Sequence, residues 1–268
     1  QEINCIIGKA YNTYFTKACF MQVFFLNCDI IGKAYNTYKI DKKMSIRKIQ
    51  FNEDHYYHVF NRGVDKRNIF ESQEDLYYFF KRLIDLNKDG TNPSINNNRY
   101  KGQGRVAKDE DAGALVSIVS YCLLPNHFHL VLKQESESGI SKFMQKLGTS
   151  YTMYFNQKYK RSGSLFQGKF KANMIDGEFG LPVLSVYVNL NYMHHRINPK
   201  SSLVKSSIFE YLGTELGESI CNKKEIKGVI SEIGSIQEYK VFSKNTSKVF
   251  GENKGLIIKD IDLDLIFE

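Results

Sequence analysis

The chain has 268 residues, 42% of them hydrophobic and 25% charged, a globular composition that excludes a disordered polymer and allows one sizeable domain with an extension. A net charge of +8 favours a polyanionic partner. The longest apolar run, Cys19 to Ile31, is interrupted by Gln22, Asn27 and Asp29, so no membrane association and a cytoplasmic location are expected.

In chain order, Ile6 to Tyr14 recurs letter for letter at Ile30 to Tyr38, a period of 24 residues. Two copies are too few for a solenoid. Identity without drift points to a duplication in the DNA. Residues 1–43 are therefore expected to be upstream read-through outside the fold, with translation starting at Met44. A main domain over 44–200 and an accessory extension over 201–268 follow. Five scattered cysteines, with no Cys-x-x-Cys pair, speak against a disulfide framework or a zinc ribbon.

His55 to Phe60 has strand composition and ends at the turn Asn61-Arg62-Gly63. Ser72 is placed to cap a helix, with Asp75 at the capping-box position. Leu76, Phe79, Phe80, Leu83 and Ile84 continue it at helical spacing to about Asn87. Asp89 to Ala112 is polar and glycine-rich and reads as an insertion. Leu115 to Leu124 and His127 to Lys133 form strands around a Pro125-Asn126 turn. Ile140, Phe143, Met144, Leu147, Tyr151 and Phe155 mark a long helix. A strand over Leu165 to Ile175, an Asp176-Gly177 turn and a helix from Pro182 to about His195, ending before Asn198-Pro199, come next. Ser207 to Leu212 and Lys223 to Ile233 read as helices, and an acidic terminus (Lys259 to Asp264) closes the chain. The fold expected is α+β: a split βαβ plan, with an antiparallel sheet, helices on one face and a mostly helical C-terminal extension.

Strand alternation puts His127 and His129 on one sheet face and Phe128 and Leu130 on the other. Two imidazoles so placed can hold a divalent metal, or can be ordinary histidines satisfied by backbone or water. Tyr187 and Asn191, four apart, share a helical face. An amide oxygen there can complete a metal site, and the tyrosine one turn earlier would lie beside it; Tyr187 can equally be a core aromatic. Tyr192 competes for the role but points elsewhere. From Ser138 to Ile175 there is no acidic residue and there are seven basic ones: Lys142, Lys146, Lys158, Lys160, Arg161, Lys169 and Lys171. Tyr151, Tyr154, Tyr159, Phe166 and Phe170 are interleaved with them. Basic side chains neutralise phosphates and aromatic faces stack bases.

The run Leu124-Pro125-Asn126-His127-Phe128-His129-Leu130-Val131-Leu132 resembles the HUH motif of single-tyrosine transposases, particularly REP-associated tyrosine transposases. So do His58 to Gly63, Tyr154 to Phe170, Tyr187-Val188-Asn189-Leu190-Asn191 and the segment Ser206 to Gly213, a resemblance covering about residues 50–215. It implies a ferredoxin-like fold and a metal-dependent single-strand DNA endonuclease and strand transferase. His127, His129 and Asn191 would be ligands of Mg2+ or Mn2+, and Tyr187 the nucleophile that becomes linked to a 5′ phosphate. Arg62, Lys158, Lys160, Arg161, Lys169 and Lys171 are the candidate DNA contacts. Hairpins or palindromic repeats of single-stranded DNA are the implied partners, with a homodimer as a further option. The chain departs from the family in having Asn191-Tyr192 where Asn-Pro is usual, and Phe166 and Lys169 where Trp and Arg are usual. A nuclease using water, and a hairpin-binding protein without chemistry, are the alternative readings.

Overall fold

The computed structural model describes residues 49–89, 113–175, 180–195, 197–198, 201–214 and 217–257. The N-terminal repeats, the Met44 start, nearly all of the 89–112 insertion, the Asp176-Gly177 turn, Pro199 and the acidic terminus lie outside those residues.

Five strands make one sheet in the order β4-β1-β3-β2-β5. They are β1 (Tyr56–Arg62), β2 (Val116–Leu124), β3 (His127–Gln134), β4 (Lys171–Met174) and β5 (Lys205–Ser206), and every pairing is antiparallel. At the centre lies the β2–β3 hairpin, whose β-branched and apolar residues suit a strand buried on both sides. Pro125 and Asn126 form its turn, with Leu124 facing His127 across the pair.

Helices α1 (Gln73–Asp85) and α2 (Gly139–Lys158) pack together on one face. Ser72 accepts from the Asp75 N–H and the Asp75 carboxylate accepts from the Ser72 N–H, the capping box expected from the sequence. Their apolar faces meet the sheet through Phe79 on Phe128, at 5.2 Å between ring centroids, and Phe80 on Tyr121, at 5.8 Å.

The other face carries α3 (Gly180–Asn189) and the one-turn α4 (Asn191–His194). Beyond a short α5 (Ile208–Tyr211), α6 (Lys223–Ile233) and α7 (Ile236–Ile257) pack against α3. Helices thus lie on both faces. The split βαβ helices share one as expected, and the sequence from residue 180 onward covers the other, because the His-bearing face would otherwise expose Val131, Phe60 and Leu124.

Three element boundaries differ from expectation. The strand over 165–175 is confined to Lys171–Met174: Leu165 and Phe166 are buried as core plugs, Phe166 making one isolated bridge to Gly63, and Gly168 turns the chain at φ +71°. The helix over 182–195 is divided at Leu190 (φ −108°, ψ 17°). Leu190 N–H still donates to Val186 O at 2.9 Å, so the axis continues and Asn191 stays on the Tyr187 side. Helix α7 lies in the extension expected to be mostly helical, but its bounds were not anticipated.

Candidate active site

In β1, Phe60 pairs with His129 and Arg62 with His127, so His58, Phe60 and Arg62 share the face of the two histidines. Against that face α3 lays Tyr187. Its ring centroid is 5.9 Å from His58 and 5.9 Å from His129, edge-on to both, and 5.3 Å from His194. His195 comes within 4.5 Å of His127, ring to ring. Tyr187 and His127 are 6% and 7% exposed, and His129 and Asn191 fully buried. The four residues named from the sequence therefore converge.

The hydrogen bonds constrain protonation. His127 Nδ1 lies 2.6 Å from Asn126 Oδ1. The amide oxygen can only accept, so Nδ1 carries the proton. When His127 is neutral, its Nε2 is then a lone pair, and it faces another acceptor, Asn191 Oδ1, at 3.4 Å. His129 Nε2 is buried with no hydrogen-bond partner. Two acceptors facing one another beside an orphaned buried imidazole nitrogen is a donor set that fits a divalent cation. Among the described residues, no group of three His, Cys, Asp or Glu side chains stands together as a metal cluster, and the third donor here is an amide. Burial lowers the pKa of His58 to about 3. It also holds His129 well below the usual histidine range, with charge on His58, His127, His195 and His194 adding to the effect.

The tyrosine helix is fixed from behind. Asn189 Nδ2 donates to the Tyr239 hydroxyl of α7 at 3.0 Å, and that hydroxyl donates to Ser185 Oγ at 3.0 Å. Ser206 Oγ donates to Asn189 O at 2.5 Å and Ser207 Oγ to Asn189 Oδ1. Ser247, also on α7, meets His194 at 3.3 Å. Tyr192 lies beside Cys122 instead of the histidines, and burial raises the pKa of both; that of the Cys122 thiol reaches about 12.

The basic candidates divide. Arg62 Nε donates to Gln167 Oε1, and Asn61 and Arg62 hold the Gln167-Gly168 turn against β1, so exposed Lys169 is carried next to the histidine face. Lys171 lies 5.9 Å over the Phe60 ring, which is 5.5 Å from His129. Lys160 is exposed at the end of α2, and Arg161 donates to Asn156 at 2.7 Å. Lys158 is occupied otherwise: it donates to Asp75 at 2.7 Å, to Glu74 at 3.1 Å and to Ser72 at 3.0 Å. Most of the interleaved aromatics also turn inward. Tyr151 and Phe166 are buried, and Tyr154 and Tyr159 donate to Asp75. A carboxylate buried under α2 draws phenols and an ammonium to itself, and that takes them out of a stacking surface.

Residues 104–191 match the family model described as "Transposase IS200 like". About a third of the chain is thus similar to the IS200-like transposase family. The match spans both histidines of β3 and ends on Asn191; His58 precedes it. Among solved structures, the chain is similar to one described as the REP-associated tyrosine transposase bound to a REP hairpin. The identity is 13%, the TM-score is 0.44, and the overlap covers 67% of this chain and 94% of that one. No curated protein matches the chain. Among the described residues, no helix is long and apolar enough to cross a membrane.

The sequence pattern pointed to His127, His129, Tyr187 and Asn191 but not to three further histidines beside them. His194 and His195 follow Asn191 directly, within one turn of it, which was the available signal. His58 sits in a quoted motif, and its alternation with Phe60 and Arg62 places it on the histidine face once β1 is paired with β3.

Proposed function

We propose that the chain is a metal-dependent, site-specific single-stranded DNA endonuclease and strand transferase acting on hairpins or palindromic repeats. One observation carries the reading: Tyr187 is held edge-on to His129 beside the facing His127 Nε2 and Asn191 Oδ1. Tyr187 Oη attacks the scissile phosphorus, the new O–P bond replaces the bond to the 3′ oxygen, and that oxygen leaves as a hydroxyl after taking a proton. A 3′ hydroxyl attacking the phosphotyrosine reverses the step and rejoins strands without external energy. His127, His129 and Asn191 would hold Mg2+ or Mn2+, which when bound supplies Lewis-acid polarisation of the phosphate. His127, His129 and Asn191 align the phenol and keep bulk water from the linkage, since they and Tyr187 are buried. Incubating the full chain with a hairpin oligonucleotide and Mn2+ is expected to yield a covalent protein–DNA adduct that survives denaturation and is abolished by chelator. Cleavage without an adduct would favour a nuclease using water; metal-independent binding without cleavage would favour a binding protein.

Arg62, Lys169 and Lys171 line the approach to this site, and phosphate contacts made there are non-specific in sequence. Lys169→Ala is expected to weaken single-strand binding severalfold and to reduce the slope of log K against log salt by roughly 0.7. A salt titration by fluorescence anisotropy checks it, and an unchanged slope would remove Lys169 from the DNA path.

A further inference from the structure

We infer that His58 is a positioning residue that fixes the tautomer and plane of His129, so that the Nε2 lone pair of His129 is presented to the site. The inference rests on the proposed metal-dependent reading, and deepens it.

His58 Nε2 lies 2.9 Å from His129 Nδ1, with both side chains buried. Their ring centroids are 5.1 Å apart and their planes 15° apart. Nitrogens that close between rings that far apart and nearly coplanar lie in the plane between them. This is an in-plane N–H···N bond and not a face-to-face stack. One of the two nitrogens must donate and the other accept. If His58 donated, His129 would carry its proton on Nε2 and leave a buried N–H aimed at the site with no acceptor, since that atom has no partner. If His129 donates from Nδ1, Nε2 keeps a lone pair, the form in which an imidazole ligates a cation.

The arrangement repeats at the neighbouring histidine. His127 also spends Nδ1 on a fixed acceptor, Asn126 Oδ1 at 2.6 Å, and also turns Nε2 toward the site. Two adjacent histidines, each held through Nδ1 by a different element of the fold, thus present Nε2 atoms together. Register enforces the contact: Phe60 pairs with His129 and His58 with Val131, so His58 is the β1 residue diagonal to His129 on the same face. Phe60 supports the His129 ring at 5.5 Å and 19°, and the His58 ring at 5.0 Å and 29°, holding both imidazoles near one plane.

The test uses the full chain labelled with 15N, metal-free and near neutral pH, and reads the histidine tautomers from long-range 1H–15N correlations. The His129 signals are assigned by their loss in His129→Asn. The expected result is a neutral His129 protonated on Nδ1. A proton on Nε2 overturns the inference whatever the metal chemistry proves to be. His58→Gln, whose amide oxygen reaches about as far as an imidazole Nε2, is expected to keep the Nδ1–H form and Mn2+ affinity within about threefold. His58→Leu is expected to lose the tautomer preference and to weaken Mn2+ binding by about 10–100-fold, measured by titration calorimetry. A His58→Leu protein that keeps both properties refutes the assignment. If His58→Leu fails to fold, the wild-type and His58→Gln spectra still decide. A wild-type chain with the expected tautomer that binds no Mn2+ would sink the metal reading while leaving the His58–His129 pairing in place.

Discussion

Tyr187→Phe is expected to abolish the covalent adduct and to lower cleavage at least about a thousandfold. The substitution removes the hydroxyl and leaves the ring, so the edge contacts with His58 and His129 and the packing on His194 persist. Thermal stability should therefore change by no more than about 1 kcal/mol, the net worth of one hydrogen bond. Hairpin affinity, set by the basic approach, should be nearly unaffected. This separation of activity from stability and binding makes the variant informative. A large drop in melting temperature would instead assign Tyr187 to the core. Cleavage at the wild-type rate would remove it as nucleophile.

The largest effect on stability is expected at Asp75. Its carboxylate is fully buried and accepts from five donors: the N–H groups of Glu71 and Ser72, the Tyr154 and Tyr159 hydroxyls and the Lys158 ammonium. Asp75→Ala strands those donors and unpins α2 from the N-terminus of α1. A loss of about 3–5 kcal/mol is expected, as for breaking a buried pair from one side. In a domain this size that is a fall in Tm on the order of 10 °C. Burial alone would raise the Asp75 pKa, but the donors from Lys158, Tyr159, Glu71 and Tyr154 outweigh it and the pKa is lowered. A depressed folded-state pKa means that the contribution is complete above the ordinary aspartate range, near pH 4, and is lost as pH falls through the folded value. Urea midpoints for wild type and Asp75→Asn should accordingly differ most near pH 7 and converge as pH falls through the folded-state value. A difference that is constant with pH would show that the charge of Asp75 does not matter.

Much of this architecture was legible in the sequence, for local reasons. The Ser72 cap, the β2–β3 hairpin and α6 follow from signals within a few residues of each other, and the structure places them within a residue or two of expectation. The pairing of Tyr187 with Asn191 is one helical turn, and the sharing of a face by His127 and His129 is one strand period. What the sequence did not disclose depends on distant partners. Lys158 reads as a phosphate contact until Asp75, 83 residues earlier, is seen to claim it. His58 needs the β1–β3 register to reach His129. Helix α7 has a weaker amphipathic pattern than α6, and only its packing on α3 shows what it is for.

That packing bears on synthesis. The segment that carries Tyr187 is held by Tyr239, through Asn189, and by Ser247, through His194, and both leave the ribosome some fifty to sixty residues after Tyr187 does. The sheet that carries His127 and His129 can form early, since domains tend to fold from the N-terminus as they emerge. The helix of Tyr187, by contrast, gains its last supports only when α7 has been made. A chain released before α7 would keep His127, His129, Tyr187 and Asn191 and still lack the clasp behind the tyrosine helix. The reading frame past residue 191 thus acts as a check on synthesis: only a chain extended through α7 has its tyrosine helix fully fastened.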